Sequence, residues 1–130
     1  MVDEAGLSSQ IQVDSAGTGS WHVGEKPHYG TRQVLRKHGL AYSGRARQVT
    51  QKDMAISDTY IIAMDQDNLT DLQLKYGYHA HLYRLLDFAQ KTDESDVPDP
   101  YYTGRFDEVY ELVTDGCRGL LAAIIEREQF

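Results

Sequence analysis

The spacing of apolar positions changes along the chain, and each change predicts an element. Ile11-Gln12-Val13 alternates and predicts a short strand running into Asp14-Ser15-Ala16-Gly17-Thr18-Gly19-Ser20, a loop of small residues that lets backbone approach a ligand. Met1 to Gly6 reads as the last turns of a helix closed by a glycine. Val34, Leu35 and His38 follow Thr31 at helical spacing, and Gly39 stands where a helix stops. Thr50 with Asp53 predicts a capped, brief helix. Tyr60 to Met64 is a continuous apolar run of strand length, expected to be buried on both faces near the centre of a sheet. Asp65 then caps a helix that runs through Tyr76 and stops at Gly77. His81 to Leu86 is a further strand candidate, and Asp93 to Pro100 is an acidic loop punctuated by proline. From Phe106 through Ile124, apolar residues three and four apart trace one stripe of a long helix, with Cys117 on it.

Strands separated by helices predict an α/β fold, a parallel sheet flanked by helices in three layers, with binding loops at the strands' carboxyl ends. The 130 residues are expected to form a single domain spanning 1–130. Charge narrows the partners: 20 acidic against 13 basic residues give a net charge of −7, which repels a phosphate backbone and argues against nucleic acid. One cysteine, Cys117, leaves no internal disulfide and no paired-cysteine metal site. No apolar run is long enough to span a membrane and the first residues lack a signal-peptide pattern, so a cytoplasmic location is expected.

The stretches Val13-Asp14-Ser15-Ala16-Gly17-Thr18-Gly19-Ser20-Trp21, Ala46-Arg47-Gln48-Val49, Ala63-Met64-Asp65 with Asn68, and Asp96-Val97-Pro98-Asp99-Pro100-Tyr101-Tyr102 occur in that order. With them the whole chain resembles the low-molecular-weight protein tyrosine phosphatases. The resemblance implies hydrolysis of phosphotyrosine through a cysteinyl-phosphate intermediate, on a phosphotyrosine protein or an aryl phosphate. It implies Asp99 as general acid and then base, because a phenoxide leaves poorly without a proton. It further implies that Trp21, Tyr101 and Tyr102 wall the slot for the phenyl ring, and that Ser15 supports the phosphate loop from beneath. Gly44 stands where some members carry a histidine of that same network. No cofactor is implied, since transfer through a cysteine requires neither metal nor nucleotide.

The family's first element, a strand leading into a cysteine, five residues and an arginine, has no match here. Cys117 is followed six residues later by Ala123, and it reads as a thiol on the apolar stripe. A phosphate loop lowers its thiol's pKa and surrounds the phosphoryl group with N–H donors, so the chain is expected to be inactive alone. The family's missing strand lies between those corresponding to Ile11–Val13 and Tyr60–Met64. Its absence predicts direct re-pairing of these strands, exchange of elements in a homo-oligomer through the exposed edges, or poor solubility. Three explanations stand: a phosphatase truncated at its start, a non-catalytic short form acting as a swapped oligomer or partner-binding remnant, or another small α/β binding domain.

The remaining candidates carry little chemistry. Asp93, Glu94 and Asp96 read as solvated loop charge, His22 as a surface histidine, and His79-Ala80-His81 offers two imidazoles without a third ligand. The glycine-rich loop lacks the lysine and the spacing of a nucleotide-binding loop.

Overall fold

Most of the helices begin where a polar side chain stands to accept one of the first free N–H groups. The computed structural model describes residues 1–42 and 44–130, the side chain of Tyr102 excepted. Helix α1 (Tyr29–Lys37) is capped by His28, whose Nδ1 accepts from the Gly30 amide at 3.0 Å. Helix α2 (Gln51–Ala55) opens on a full capping box: Thr50 accepts from the Asp53 amide while Asp53 accepts from the Thr50 amide. Helix α3 (Gln66–Tyr76) starts at Asp65, which accepts from Asn68 at 2.7 Å, and ends at Gly77 with φ of 80°. A turn at the start of the chain, with Ala5 donating to Met1 and Leu7 to Val2, takes in Gly6 at a φ of 71°.

The sheet contains two strands, β1 (Ile61–Ala63) and β2 (Leu82–Arg84), parallel and in register with Ile61 opposite Leu82. A parallel pair demands a crossover, and α3 supplies it, contacting both strands. The 3-10 turn Leu85–Phe88 leads from β2 into a loop, the short helix α4 (Pro100–Thr103) and the long helix α5 (Phe106–Glu128). Ile62, Leu85, Leu86 and Val97 pack with Val109, Leu112 and Val113 of α5. Side chains alternate along a strand, so Ile61 and Ala63 turn to the other face. Helices thus flank a parallel sheet, the α/β arrangement expected.

Two expectations about strands need correction. Ile11–Val13 forms no strand; the one bridge in this part of the chain joins Gly17 to Gln48. Alternation makes a segment extended, but a strand also needs a neighbour, and Ile11 and Val13 border an apolar cavity instead. The expected direct re-pairing of Ile11–Val13 with β1 is therefore not found among the described residues. Nor is β1 buried throughout: Ala63 is covered, but Ile61 and Ile62 are only half-buried, and β2 is its only strand partner among the described residues. No helix among these residues is long and apolar enough to cross a membrane.

Helix α5 lies against the turn Leu85–Phe88 through Gly116 and Gly119. A Cβ at Gly116 would meet Leu85 Cγ at 2.7 Å, and one at Gly119 would overlap the Phe88 carbonyl. Gly119→Ala ordinarily favours a helix by about 1 kcal/mol. Here backbone blocks the methyl, so the substitution is expected to lower stability by about 1–3 kcal/mol. A urea midpoint equal to or above that of the wild type would show that α5 does not sit this closely.

Candidate active site

The loop from Asp14 to Glu25 is built on backbone hydrogen bonds to the segment 46–49. The Gly17 amide donates to Arg47 O at 2.8 Å, and the Val49 amide donates to Gly17 O at 2.9 Å. Further on, the Gly24 amide donates to Ala46 O, and the Ala46 amide donates to Glu25 O. Two pairs of bonds thus fasten both ends of the loop to one extended strip. Within it the Trp21 indole folds back over Gly19, whose absent Cβ would stand 3.1 Å from the ring. The indole is 82% exposed, so it is positioned by the glycine and not by burial.

Arg47 adds a side-chain clamp. Its guanidinium donates to both oxygens of Asp53, at 2.9 and 3.1 Å, and to Asp14 at 3.1 Å. Asp53 in turn accepts from the Thr50 amide at 2.8 Å. The hydrogen bond from Arg47, then that from the Thr50 amide, bring the Asp53 carboxyl from 3.8 down to about 2, and the hydrogen bond to Asp53 in turn raises the Arg47 pKa. In the sequence Arg47 is part of the Ala46–Val49 stretch and stands out by no chemistry of its own. The signal was the Thr50-x-x-Asp53 box with an arginine three residues before it.

The loop carrying Asp99 is held from several sides. Asp115 of α5 accepts from the Gln90 and Lys91 amides at 3.0 and 2.9 Å, and these bonds lower its pKa. The Val97 amide donates to Met64 O, and Asp96 accepts from the Gln66 amide at 2.9 Å. Asp96 is thus a tether between the loop and the start of α3, where solvated charge was expected. Asp99 has an extended backbone before Pro100 and caps α4, accepting from the Tyr101 amide at 3.0 Å.

These loops enclose a cleft of about 430 Å³ lined by Ser15, Trp21, Arg47, Asn68 and Asp99 among others. Three of the expected site residues, Ser15, Trp21 and Asp99, therefore face one space. Tyr101 stands beside it, 6.2 Å from the His22 ring and 5.7 Å edge-on from His28, whose ring stacks on Phe106 at 4.9 Å. The Tyr102 side chain lies outside the described residues. Ser15 Oγ is 3.5 Å from the hydroxyl of Tyr42, whose ring occupies the space a side chain at Gly44 would need. His22 pairs with Glu25 at 2.7 Å. Cys117 does not reach this cleft; it lines the apolar cavity, and burial pushes its thiol pKa up.

A family profile described as "Low molecular weight phosphotyrosine protein phosphatase" matches residues 1–130. The chain belongs to the low molecular weight protein tyrosine phosphatases. It is 47% identical over 127 residues to YfkJ of Bacillus subtilis, covering 95% of this chain and 81% of that protein. It is 40% identical over 126 residues to PtpA of Staphylococcus epidermidis, covering 96% of this chain and 79% of that protein. The crystal structure of YfkJ superposes with a TM-score of 0.91 at 45% identity, over 97% of this chain and 80% of YfkJ. A protein tyrosine phosphatase from Entamoeba histolytica superposes with a TM-score of 0.87 at 29% identity, over 99% of this chain and 84% of that one. In this phosphatase-family chain the Asp99 loop and the Trp21 loop thus share one cleft.

Among the described residues no group of three or more His, Cys, Asp or Glu side chains is placed to hold a metal. The pH dependence of the Arg47 clamp follows from Asp53. Its folded pKa lies below the ordinary 3.8, so its stabilisation is complete above that value and is lost as pH falls through about 2. The stability advantage of wild type over Asp53→Asn, read from urea midpoints, is expected to shrink between about pH 4 and pH 2. An advantage unchanged across that range would show that the carboxylate charge contributes nothing.

Proposed function

We propose that these 130 residues carry the proton-transfer and ring-binding parts of a phosphotyrosine phosphatase site, and that they do not turn over substrate by themselves. The observation that supports this most is the division of the candidate chemistry between two spaces. Asp99 and Trp21 face the cleft, whereas the sole cysteine, Cys117, faces the apolar cavity with its thiol pKa raised.

In this reading a thiolate from a Cys-x5-Arg loop attacks the phosphorus, and the P–O bond to the phenol breaks. Asp99 gives its proton to the departing phenolic oxygen. In the second step the Asp99 carboxylate takes a proton from the water that attacks the cysteinyl phosphate, which releases inorganic phosphate and restores both groups. Trp21 and Tyr101 supply aromatic faces for the substrate ring, which favours phosphotyrosine or an aryl phosphate over phosphoserine. Ser15, with Tyr42 near its hydroxyl, stands below the place the phosphate loop would take. Cys117 cannot substitute as nucleophile: a reactive thiol needs a lowered pKa, and burial acts in the opposite direction.

The test is hydrolysis of para-nitrophenyl phosphate by the 130-residue chain and by a form joined at Met1 to a segment bearing a Cys-x5-Arg loop. The chain alone is expected to lie near background, since loss of a covalent nucleophile costs on the order of a million-fold in a serine hydrolase. In the joined form, Asp99→Asn is expected to lower kcat about 10²- to 10⁴-fold. Full turnover by the chain alone, or an unaffected Asp99→Asn variant of the joined form, would overturn the assignment.

A further inference from the structure

One imidazole outside the cleft touches three separate elements of the fold. His28 is the N-cap of α1, and its Nδ1 accepts from the Gly30 amide at 3.0 Å, so the neutral ring carries its proton on Nε2. Its face stacks on Phe106, the first residue of α5, with centroids 4.9 Å apart and planes 18° from parallel. At 5.7 Å, and nearly perpendicular at 89°, it also meets the ring of Tyr101.

His28 is exposed, so contacts hold it and burial does not. Its carbonyl accepts from the Arg32 amide at 3.0 Å, which leaves both its backbone and its ring engaged by α1. A Cβ at Gly30 would overlap the Phe106 ring, so this glycine lets Phe106 lie against the first turn of α1, where the imidazole covers it. At the other end of α1, His38 stacks on Tyr110 at 3.9 Å and Lys37 pairs with Asp107 at 3.1 Å. Helices α1 and α5 are thus fastened at both ends, and His28 is fixed by elements that carry neither Asp99 nor Tyr101.

Tyr101 has no such framework around its ring. Helix α4 is a single turn, and Tyr101 within it is 61% exposed, so its ring is not oriented by burial. Two imidazoles stand against it. His22, tilted at 6.2 Å, belongs to the exposed Trp21 loop and is paired with Glu25. Of the two, His28 is the one tied to helices.

We infer that His28 is a positioning residue for the substrate ring: it fixes the plane of Tyr101, and so the slot that Tyr101 and Trp21 offer to an aryl group, without touching substrate itself, a step that rests on the reading of Tyr101 as an aromatic face for phosphotyrosine. A perpendicular pair of rings has a preferred geometry, so it orients as well as attracts. A ring held in place before substrate arrives need not be ordered on binding. The effect therefore falls on KM. Asp99, set by its own cap on α4 and by the tethered loop before it, keeps its proton transfer.

Two substitutions separate the ring from the cap. In His28→Asn the amide oxygen stands as many bonds from Cα as Nδ1 does, so Gly30 keeps an acceptor and the ring is lost. In His28→Phe the ring remains and the acceptor is lost. The first readout needs no turnover and uses the 130-residue chain: three-bond couplings across χ1 of Tyr101. They are expected to report one rotamer in wild type and in His28→Phe, and to move toward a rotamer average in His28→Asn. The second readout is kinetic, in the form joined to a Cys-x5-Arg loop. There His28→Asn is expected to raise KM for para-nitrophenyl phosphate about three- to tenfold with kcat within about twofold, while His28→Phe keeps both near wild type. A residue that served only as a helix cap would give the reverse order, with His28→Phe the more impaired. Wild-type couplings in His28→Asn would overturn the inference, and so would a kcat that falls as far as KM rises. Absence of turnover in every joined form, with the Tyr101 couplings averaged in His28→Asn, would sink the phosphatase reading and leave the hold of His28 on Tyr101 standing.

Discussion

The close approach of α5 to the turn Leu85–Phe88 is the contact on which the rest of the molecule depends. Two glycines make it available, because only a residue without a Cβ lets the Phe88 carbonyl come so near at position 119. Leu85 and Leu86 are buried beneath the helix at 1% and 4% exposure, each contributing about 1.5–3 kcal/mol. With α5 fixed there, Asp115 reaches the Gln90 and Lys91 amides and anchors the start of the acidic loop. The far end of that loop is taken up by Met64 and Gln66, directly after β1. Helix position, loop position and the place of Asp99 therefore form one chain of contacts.

The other wall of the cleft is held by different means. The Asp14–Glu25 loop has almost no buried side chain, and its order comes from backbone pairing with residues 46–49 and from the Arg47 clamp. Both arms of the Arg47 fork are engaged with carboxylates, so the residue acts as a brace for the loop. An arginine spent in this way offers little to a phosphate, which leaves that task to donors of another kind.

Local signals were legible in the sequence and long-range ones were not. Asp65 and Gly77 bound α3, and Thr50 with Asp53 bounds α2, because capping is decided within a few residues. Alternation at Ile11–Val13 carried no information about a partner strand, so it promised a ladder that did not form. The half-buried state of β1 was hidden for the same reason. At the site, Ser15, Trp21 and Asp99 do meet in one cleft, while Tyr101 faces His22 and His28 beside it. The tether at Asp96 and the Asp14 arm of the Arg47 clamp depend on partners some thirty residues away, while the His28 cap is local but uses a side chain outside the usual capping set.

Asp99 and Pro100 are adjacent in sequence but border different spaces: Asp99 lines the cleft and Pro100 lines the cavity. Phe106, at the start of α5, also lines the cavity; its ring stacks on His28, and His28 meets Tyr101 edge-on. Filling the cavity would press on Pro100 and Phe106 together, and through them on the turn that carries the proposed acid. The converse also holds, since a side chain that must deliver a proton along a defined line needs its loop supported from behind. The apolar cavity and the turn that carries Asp99 are therefore joined through Pro100, Phe106, His28 and Tyr101.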